Sequence, residues 1–346
     1  MNSYTESLRS NYLLAFNQEI REEITGLTEL QFINKYEPAK SWAIGPFSLR
    51  EDLTFKKTTQ MPDPTGIDWT SSSIFNPSII EKDGSIYLFY RAAVKKESLG
   101  SRIGLAIYSP GTGWRESLNN PILYPTQENE ILSVEDPKVY CYGENKYIMF
   151  YNGAWAASPE QIIEYAKPDG EVAVDINYAL SSDLINWEKQ GLAVPYSVSK
   201  LWAKGAVIAR DEKGNVVKIL GDYLMFISEG CGGHKVLGRS KDMLHWTFEL
   251  IDYLPLPKEM GTHIYEVACA VVDGDKLVLD FMYNSHGNEH LGAQALYNIS
   301  DPTKPLDFTS NATLAWGGMI KFEGKWCFAQ GWDAPKNTEE IYFYTT

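Results

Sequence analysis

Asp83-Gly-Ser-Ile-Tyr-Leu-Phe-Tyr-Arg91 is a polar turn that runs straight into alternating aromatic and aliphatic residues, and the chain repeats it four more times. The other copies are Glu144-Asn-Lys-Tyr-Ile-Met-Phe-Tyr-Asn152, Gly221-Asp-Tyr-Leu-Met-Phe-Ile-Ser-Glu229, Gly274-Asp-Lys-Leu-Val-Leu-Asp280 and Glu323-Gly-Lys-Trp-Cys-Phe-Ala329. Alternation with a period of two behind a glycine or acidic turn predicts a hairpin leading into a half-buried strand. Tyr87, Tyr147, Tyr223, Leu277 and Trp326 fall 60, 76, 54 and 49 residues apart, which predicts a repeat architecture. A companion strand follows each copy, as in Ile103-Gly-Leu-Ala-Ile-Tyr-Ser109 and Leu291-Gly-Ala-Gln-Ala-Leu-Tyr297. Another precedes each: Phe75–Ile80, Val134–Tyr140, Lys204–Ala209, Tyr265–Ala270 and Trp316–Lys321. The pattern predicts an all-β fold, a five-bladed β-propeller, as one closed domain.

If the preceding strands are innermost, their first residues crowd one mouth of the propeller. That geometry gathers Asn76, Glu135, Asp136, Lys204, Glu266 and Trp316. The last repeat lacks chain for its outermost strand, and a segment near Trp42 to Phe55 is expected to supply it, pairing the two chain ends. Long connections from Gly153 to Asp175 and from Glu188 to Ala203 are expected to form substrate walls. Ahead of all this, Tyr12 to Tyr36 carries apolar residues at helical spacing, predicting an N-terminal helical extension over 1–40, broken near Gly26, with the propeller over 41–346. The extension offers a surface for a second subunit.

A formal net charge of -14 opposes binding to a phosphate backbone, so nucleic acid is not an expected partner. Neither a leader-like apolar run near Met1 nor an apolar stretch of 18 residues occurs, so no membrane partner is expected and the chain reads as cytoplasmic. A mature chain that had lost a leader would look the same, which leaves a periplasmic location open. Cys141, Cys231, Cys269 and Cys327 form no CxxC pair and read as core thiols. Nucleotide, zinc-protease and serine-hydrolase motifs are absent, so no cofactor and no metal are expected; His286 and His290 fit a hydrogen-bonding loop.

The chemistry rests on carboxylates. Glu135-Asp136-Pro137 opens a strand with two acids where burial favours apolar residues. Asp-Pro also punctuates turns, but a pore-facing carboxyl with its pKa raised by burial and a neighbouring acid would serve as a general acid. Glu229 ends the third phrase and Glu266 opens the fourth inner strand, each open to an ion-pair role with Lys204 as the obvious partner. Glycoside hydrolysis needs two carboxylates flanking one bond, and an inverting mechanism leaves room between them for water.

Phe75-Asn-Pro77 before Tyr90-Arg91, Ser101-Arg-Ile-Gly-Leu-Ala106, Val134-Glu-Asp-Pro137, Lys204-Gly-Ala, Ser240-Lys-Asp242 with Trp246, and Gly331-Trp-Asp333 together resemble glycoside hydrolase family 130, the five-bladed β-mannoside phosphorylases and β-mannosidases. The resemblance covers Ser41 to the C-terminus. It implies a β-mannoside or related oligosaccharide as partner and Asp136 as proton donor, acting in phosphorylases through a mannosyl hydroxyl. It also implies Asn76, Arg91 and Asp333 as holders of the mannosyl unit, with Arg102 a further candidate, and Lys204 beside the phosphate or the attacking water.

Two departures bear on the reaction. Where phosphorylases of the family carry an arginine, one strand beyond Glu-Asp-Pro, this chain has Tyr151-Asn-Gly-Ala-Trp155, and Trp155 becomes a substrate-wall candidate. Where they carry histidine and arginine, it has Ser228-Glu229-Gly230. Losing those cations removes a phosphate clamp and supplies a group able to deprotonate water. The hydrolytic branch, with glutamates near the places of Glu229 and Glu266, looks similar, so the expected activity is that of an inverting exo-acting β-mannosidase with either glutamate as base. The alternatives are a β-mannoside phosphorylase, a five-bladed glycosidase of the arabinan or fructan type, against which Asn76 counts, and a non-catalytic sugar-binding propeller.

Overall fold

A computed structural model describes residues 35–57, 62–64, 66–71, 73–94, 100–168, 170–313, 317–331 and 340–346. Residues 1–34 of the helical extension expected over 1–40, with Trp316 and Asp333, lie outside the described residues. The chain is mostly β, arranged in several sheets, none closed on itself.

Four successive strands make each unit. The first is Ser73–Lys82, Ser85–Ala93, Arg102–Ser109 and Gly113–Glu116, paired in that order. The second is Ser133–Gly143, Lys146–Ala156, Val172–Ser181 and Glu188–Leu192. The third comprises Val207–Arg210, Tyr223–Ile227, Val236–Ser240 and Trp246–Leu250. A short parallel contact, Ala209 to Ala270, joins it to the fourth: Gly261–Asp273, Lys276–Ser285, His290–Asn298 and Asp307–Ser310. The fifth has Met319–Phe322, Lys325–Gln330 and Glu340–Thr345, and Phe47–Leu49 completes it by pairing Ser48 with Thr345 and Leu49 with Tyr344. Four of the five quoted turn phrases form the hairpin between the first two strands of their unit, with Asp83, Asn145 and Glu323 in left-handed conformations beside their glycine or lysine neighbours; in the third unit residues 211–222 separate those strands and Gly221 turns within a local Ile219–Asp222 bridge.

Two local readings differ from expectation. Tyr36 does not close a helical segment; Lys35–Tyr36 is a short strand paired with Phe47–Leu49, and the Tyr36 ring packs 5.1 Å from that of Tyr344. The second strands are not half-buried either: Ile148, Met149, Phe150 and Tyr151 are all at most 1% exposed, because each sheet has another packed on both faces.

Those faces meet in five apolar clusters. Phe89 and Leu105 pack with Met149 and Val139; Ile148 and Phe150 with Ile208 and Met225; Leu224 and Phe226 with Leu279 and Phe281. Val271 and Val278 pack with Met319 and Phe328, and Leu88 and Tyr90 with Ile320 and Ile341. Burying each such side chain contributes about 1.5–3 kcal/mol. The thiols follow this packing: Cys231, Cys269 and Cys327 are buried and free, while Cys141 is half-exposed at a strand end.

Candidate active site

The first strands of units one and two carry the same irregularity. Their ladders slip between Phe75 and Ser78 and between Glu135 and Lys138, so Asn76-Pro77 and Asp136-Pro137 are bulges, with Asn76 at φ 44° and Asp136 at φ 48°. A proline cannot donate to the ladder, and a bulge re-aims the side chain before it. In the third unit the expected strand Lys204–Ala209 breaks at Gly205, φ 69°, leaving Ala203–Lys204 paired with Glu229–Gly230. A Cβ on Gly205 would stand 2.7 Å from a Glu266 carboxyl oxygen, so only glycine lets that carboxyl come in.

Arg91 donates through Nε to Ser101 (2.6 Å), through one terminal nitrogen to Asp136 (3.0 Å) and through the other to Glu135 (2.9 Å). Lys204 donates to Glu135 (3.2 Å) and Asp136 (3.1 Å). Burial pushes the Asp136 carboxyl up, but the attraction of Lys204 and then of Arg91 outweighs it and holds the group at about 2. This corrects the expectation of a raised value: two cations sit on this carboxyl.

Glu229 differs in kind. Its side chain is half-buried and makes no hydrogen bond or ion pair with another described residue. Burial, with Glu266 and Asp136 nearby and Lys204 only partly offsetting them, raises it to about 8. Glu266 is buried and ion-paired, with Lys138 (3.0 Å) rather than the expected Lys204, and burial raises its pKa. Lys138, two residues beyond Asp136 in an otherwise apolar strand, escaped the sequence reading; a lysine amid Val134, Val139 and Tyr140 is the signal that was there.

Asn76 lies at the same end: its backbone N–H donates to Gly331 (3.0 Å), and its side chain makes no hydrogen bond to a described residue. Arg91 stacks its guanidinium 4.6 Å over the Phe75 ring. Trp155 makes no hydrogen bond to Glu135, Asp136, Glu229 or Glu266. Arg102 is buried and donates to the Ser101 carbonyl (2.8 Å). Trp155 donates its indole N–H to Asp175 (2.7 Å) and packs 6.0 Å from Tyr196, whose ring meets Tyr165 at 5.4 Å. Tyr165 ends the helix Pro159–Tyr165 and Tyr196 begins the helix Tyr196–Ser199, so the two long connections pack on one another here. His286 meets the Lys258 carbonyl at 2.7 Å and the His290 ring packs on Tyr265.

A mostly β chain that gathers four carboxylates and three cations from its first strands, a second strand and a short ladder has the equipment of an enzyme acting on glycosidic bonds. Its family follows from comparison with known proteins. The model of glycoside hydrolase family 130, described as beta-1,4-mannooligosaccharide phosphorylase, matches residues 54–271. The chain belongs to this family, whose members act on β-mannosides as phosphorylases and as hydrolases. A 1,2-beta-oligomannan phosphorylase from Thermoanaerobacter sp. (strain X514) is 26% identical over 132 residues, 37% of this chain and 40% of that protein. Two solved structures share the fold. A glycosyl hydrolase from Bacteroides ovatus has a TM-score of 0.69 at 21% identity, over 90% of this chain and 96% of that one. A family 130 structure described with glycoside hydrolases that target beta-1,2 mannosidic linkages in Candida mannan has a TM-score of 0.68 at 20% identity, over the same shares.

Proposed function

We propose that the protein is an inverting, exo-acting β-mannosidase whose catalytic domain, residues 41–346, is a five-bladed propeller. The five apolar clusters support the propeller reading, since they pair each unit with the next and the fifth with the first.

The observation that carries hydrolysis is the charge count at the mouth. Among the described residues, Arg91, Lys204 and Lys138 each already hold a carboxylate, and Glu135, Asp136, Glu229 and Glu266 outnumber them four to three. A phosphate dianion needs cations to spare, and water does not. Asp136 is the proton donor, acting through a mannosyl hydroxyl. Because Arg91 and Lys204 hold it ionised at rest, it must first take a proton from solvent, which it then passes to the mannosyl hydroxyl as that hydroxyl gives its own proton to the departing glycosidic oxygen. Glu229 is favoured over Glu266 as base, because it is half-exposed and unpaired among the described residues while Glu266 is buried and committed to Lys138. Asn76, Arg91 and Asp333 hold the mannosyl unit, with Arg102 a further candidate, Lys204 stands beside the water, and Trp155 forms part of the substrate wall.

One observation favours phosphorolysis instead: a Glu229 that is protonated at neutral pH repels phosphate less than the sequence implies. The deciding experiment is cleavage of β-mannosides with and without phosphate, following the first-formed product by NMR. Hydrolysis predicts release of α-mannose in phosphate-free buffer with no acceleration by phosphate. Strict phosphate dependence with mannose 1-phosphate as product sinks it.

A further inference from the structure

Glu135 and Asp136 are consecutive in a strand, and consecutive strand side chains point to opposite faces. Here both carboxyl groups reach the same two cations. The bulge at Asp136-Pro137 is the cause, since it turns Asp136 back to the side that Glu135 faces. The result is a closed four-membered ring. Arg91 and Lys204 each donate to both carboxylates at 2.9–3.2 Å, and Ser101 pins the remaining face of the guanidinium. Within this ring Glu135 is the enclosed corner, its side chain 2% exposed against 14% for Asp136.

We propose that Glu135 is a positioning residue that holds Arg91 and Lys204 aimed at Asp136 and keeps the Lys204 ammonium off Glu229. The assignment rests on reading Asp136 and Glu229 as acid and base. Lys204 lies directly opposite Glu229 in the two-residue ladder, and its flexible stem could carry the ammonium there. Glu135 and Asp136 draw it the other way. The charged groups acting on Glu229 are Lys204, Glu266, Asp136 and Lys138, and only Lys204 has Glu135 for a partner.

The test is Glu135→Gln, which keeps shape and removes charge, with kcat, KM and the pH profile of kcat/KM measured on a β-mannoside. We expect kcat to fall about 10–100-fold, the usual cost of losing a group that orients a reacting one. KM should move less, because Ser101 still holds Arg91. The limb of the profile that belongs to Glu229 should shift to lower pH, by roughly one unit, as Lys204 turns toward it. Glu135→Asp, charged but shorter, should fall between wild type and Glu135→Gln in both readouts, and it carries the test alone if Glu135→Gln does not fold. A limb that stays in place in these variants overturns the proposal, whether kcat falls or not. Strict phosphate dependence of the wild type would sink hydrolysis and the base role of Glu229 with it, and the proposal is then read on the Glu229 carboxyl itself: NMR titration should place its pKa lower in Glu135→Gln than in wild type, and an unmoved titration overturns the proposal.

Discussion

Lys204 and Glu229 face each other across the ladder of Ala203–Lys204 and Glu229–Gly230, yet the lysine ammonium turns away to Glu135 and Asp136, at 3.2 and 3.1 Å. Glu229 is thereby left without an ion pair in a largely desolvated place. This turn widens the separation of proton affinities at the site: Lys204 and Arg91 on Asp136 outweigh its burial and hold it at about 2, while burial raises Glu229 to about 8 with the more distant Lys204 only partly offsetting it. At rest this order is the reverse of the roles proposed for the two groups, since near neutral pH Asp136 is ionised and Glu229 protonated, so both must change protonation state before the reaction.

If Glu229 is the base, activity should rise with pH. A base must be ionised to accept water's proton, so kcat/KM should climb through roughly pH 7–8 and level off above the Glu229 value of about 8. Glu229→Gln should remove that limb and cost ~10²–10⁴ in rate. A wild-type profile that falls above pH 8 would instead make Glu229 the proton donor.

Asp136→Asn removes the proton donor but keeps the shape of the bulge. Turnover of an unactivated β-mannoside should fall by ~10²–10⁴, and an aryl mannoside with an acidic phenol, which leaves without protonation, should lose much less. Equal losses on both substrates in a folded variant would show that Asp136 does not protonate the leaving group.

Glu266 and Lys138 form a buried pair at 3.0 Å, and removing one partner strands the other. Glu266→Gln should cost about 3–5 kcal/mol of stability at pH 7 in denaturant unfolding. Glu266→Gln combined with Lys138→Met should recover most of it, and the double variant should keep more activity than Glu229→Gln. A stable Glu266→Gln that is catalytically dead would move the base from Glu229 to Glu266.

Much of this arrangement is legible in the sequence. Hairpin chemistry is local, so Asp83-Gly84 and Asn145-Lys146 mark their turns without help from the rest of the fold, and the need to cover a sheet edge places Phe47–Leu49 against Glu340–Thr345. The convergence of Asp136, Lys204, Glu229 and Glu266 follows from their equivalent places at strand starts and hairpin ends. Partner choice is not legible. Lys138 takes Glu266, and Lys204 takes Glu135 with Asp136, because two bulges and Gly205 rotate the side chains about the strand axes. The direction of the Asp136 shift is hidden for the same reason: burial alone argues up, and only the positions of Arg91 and Lys204 turn it down.

Away from the mouth, Asp280 is buried beneath the strand that joins the chain ends. Gln294 donates to one carboxyl oxygen of Asp280 (3.0 Å) and binds the Ile44 carbonyl and N–H, while Thr313 stands near the carboxyl and only partly offsets its burial. Burial raises its pKa from 3.8 to about 7. A carboxyl whose folded value lies above its unfolded one binds its proton more tightly in the native state. Its stabilising contribution is therefore complete below the unfolded value near 3.8 and is lost as pH rises to about 7. Above that pH the protein carries a buried, ionised carboxylate, at a cost of roughly 4 kcal/mol from the size of the shift. Asp280→Asn is neutral at every pH and still accepts from Gln294. Thermal melts should therefore show the variant more stable than wild type at pH 9 and equal or slightly less stable at pH 5, with the curves crossing between. Parallel curves with no crossing would mean that Asp280 is ionised, and paired, in the native protein throughout.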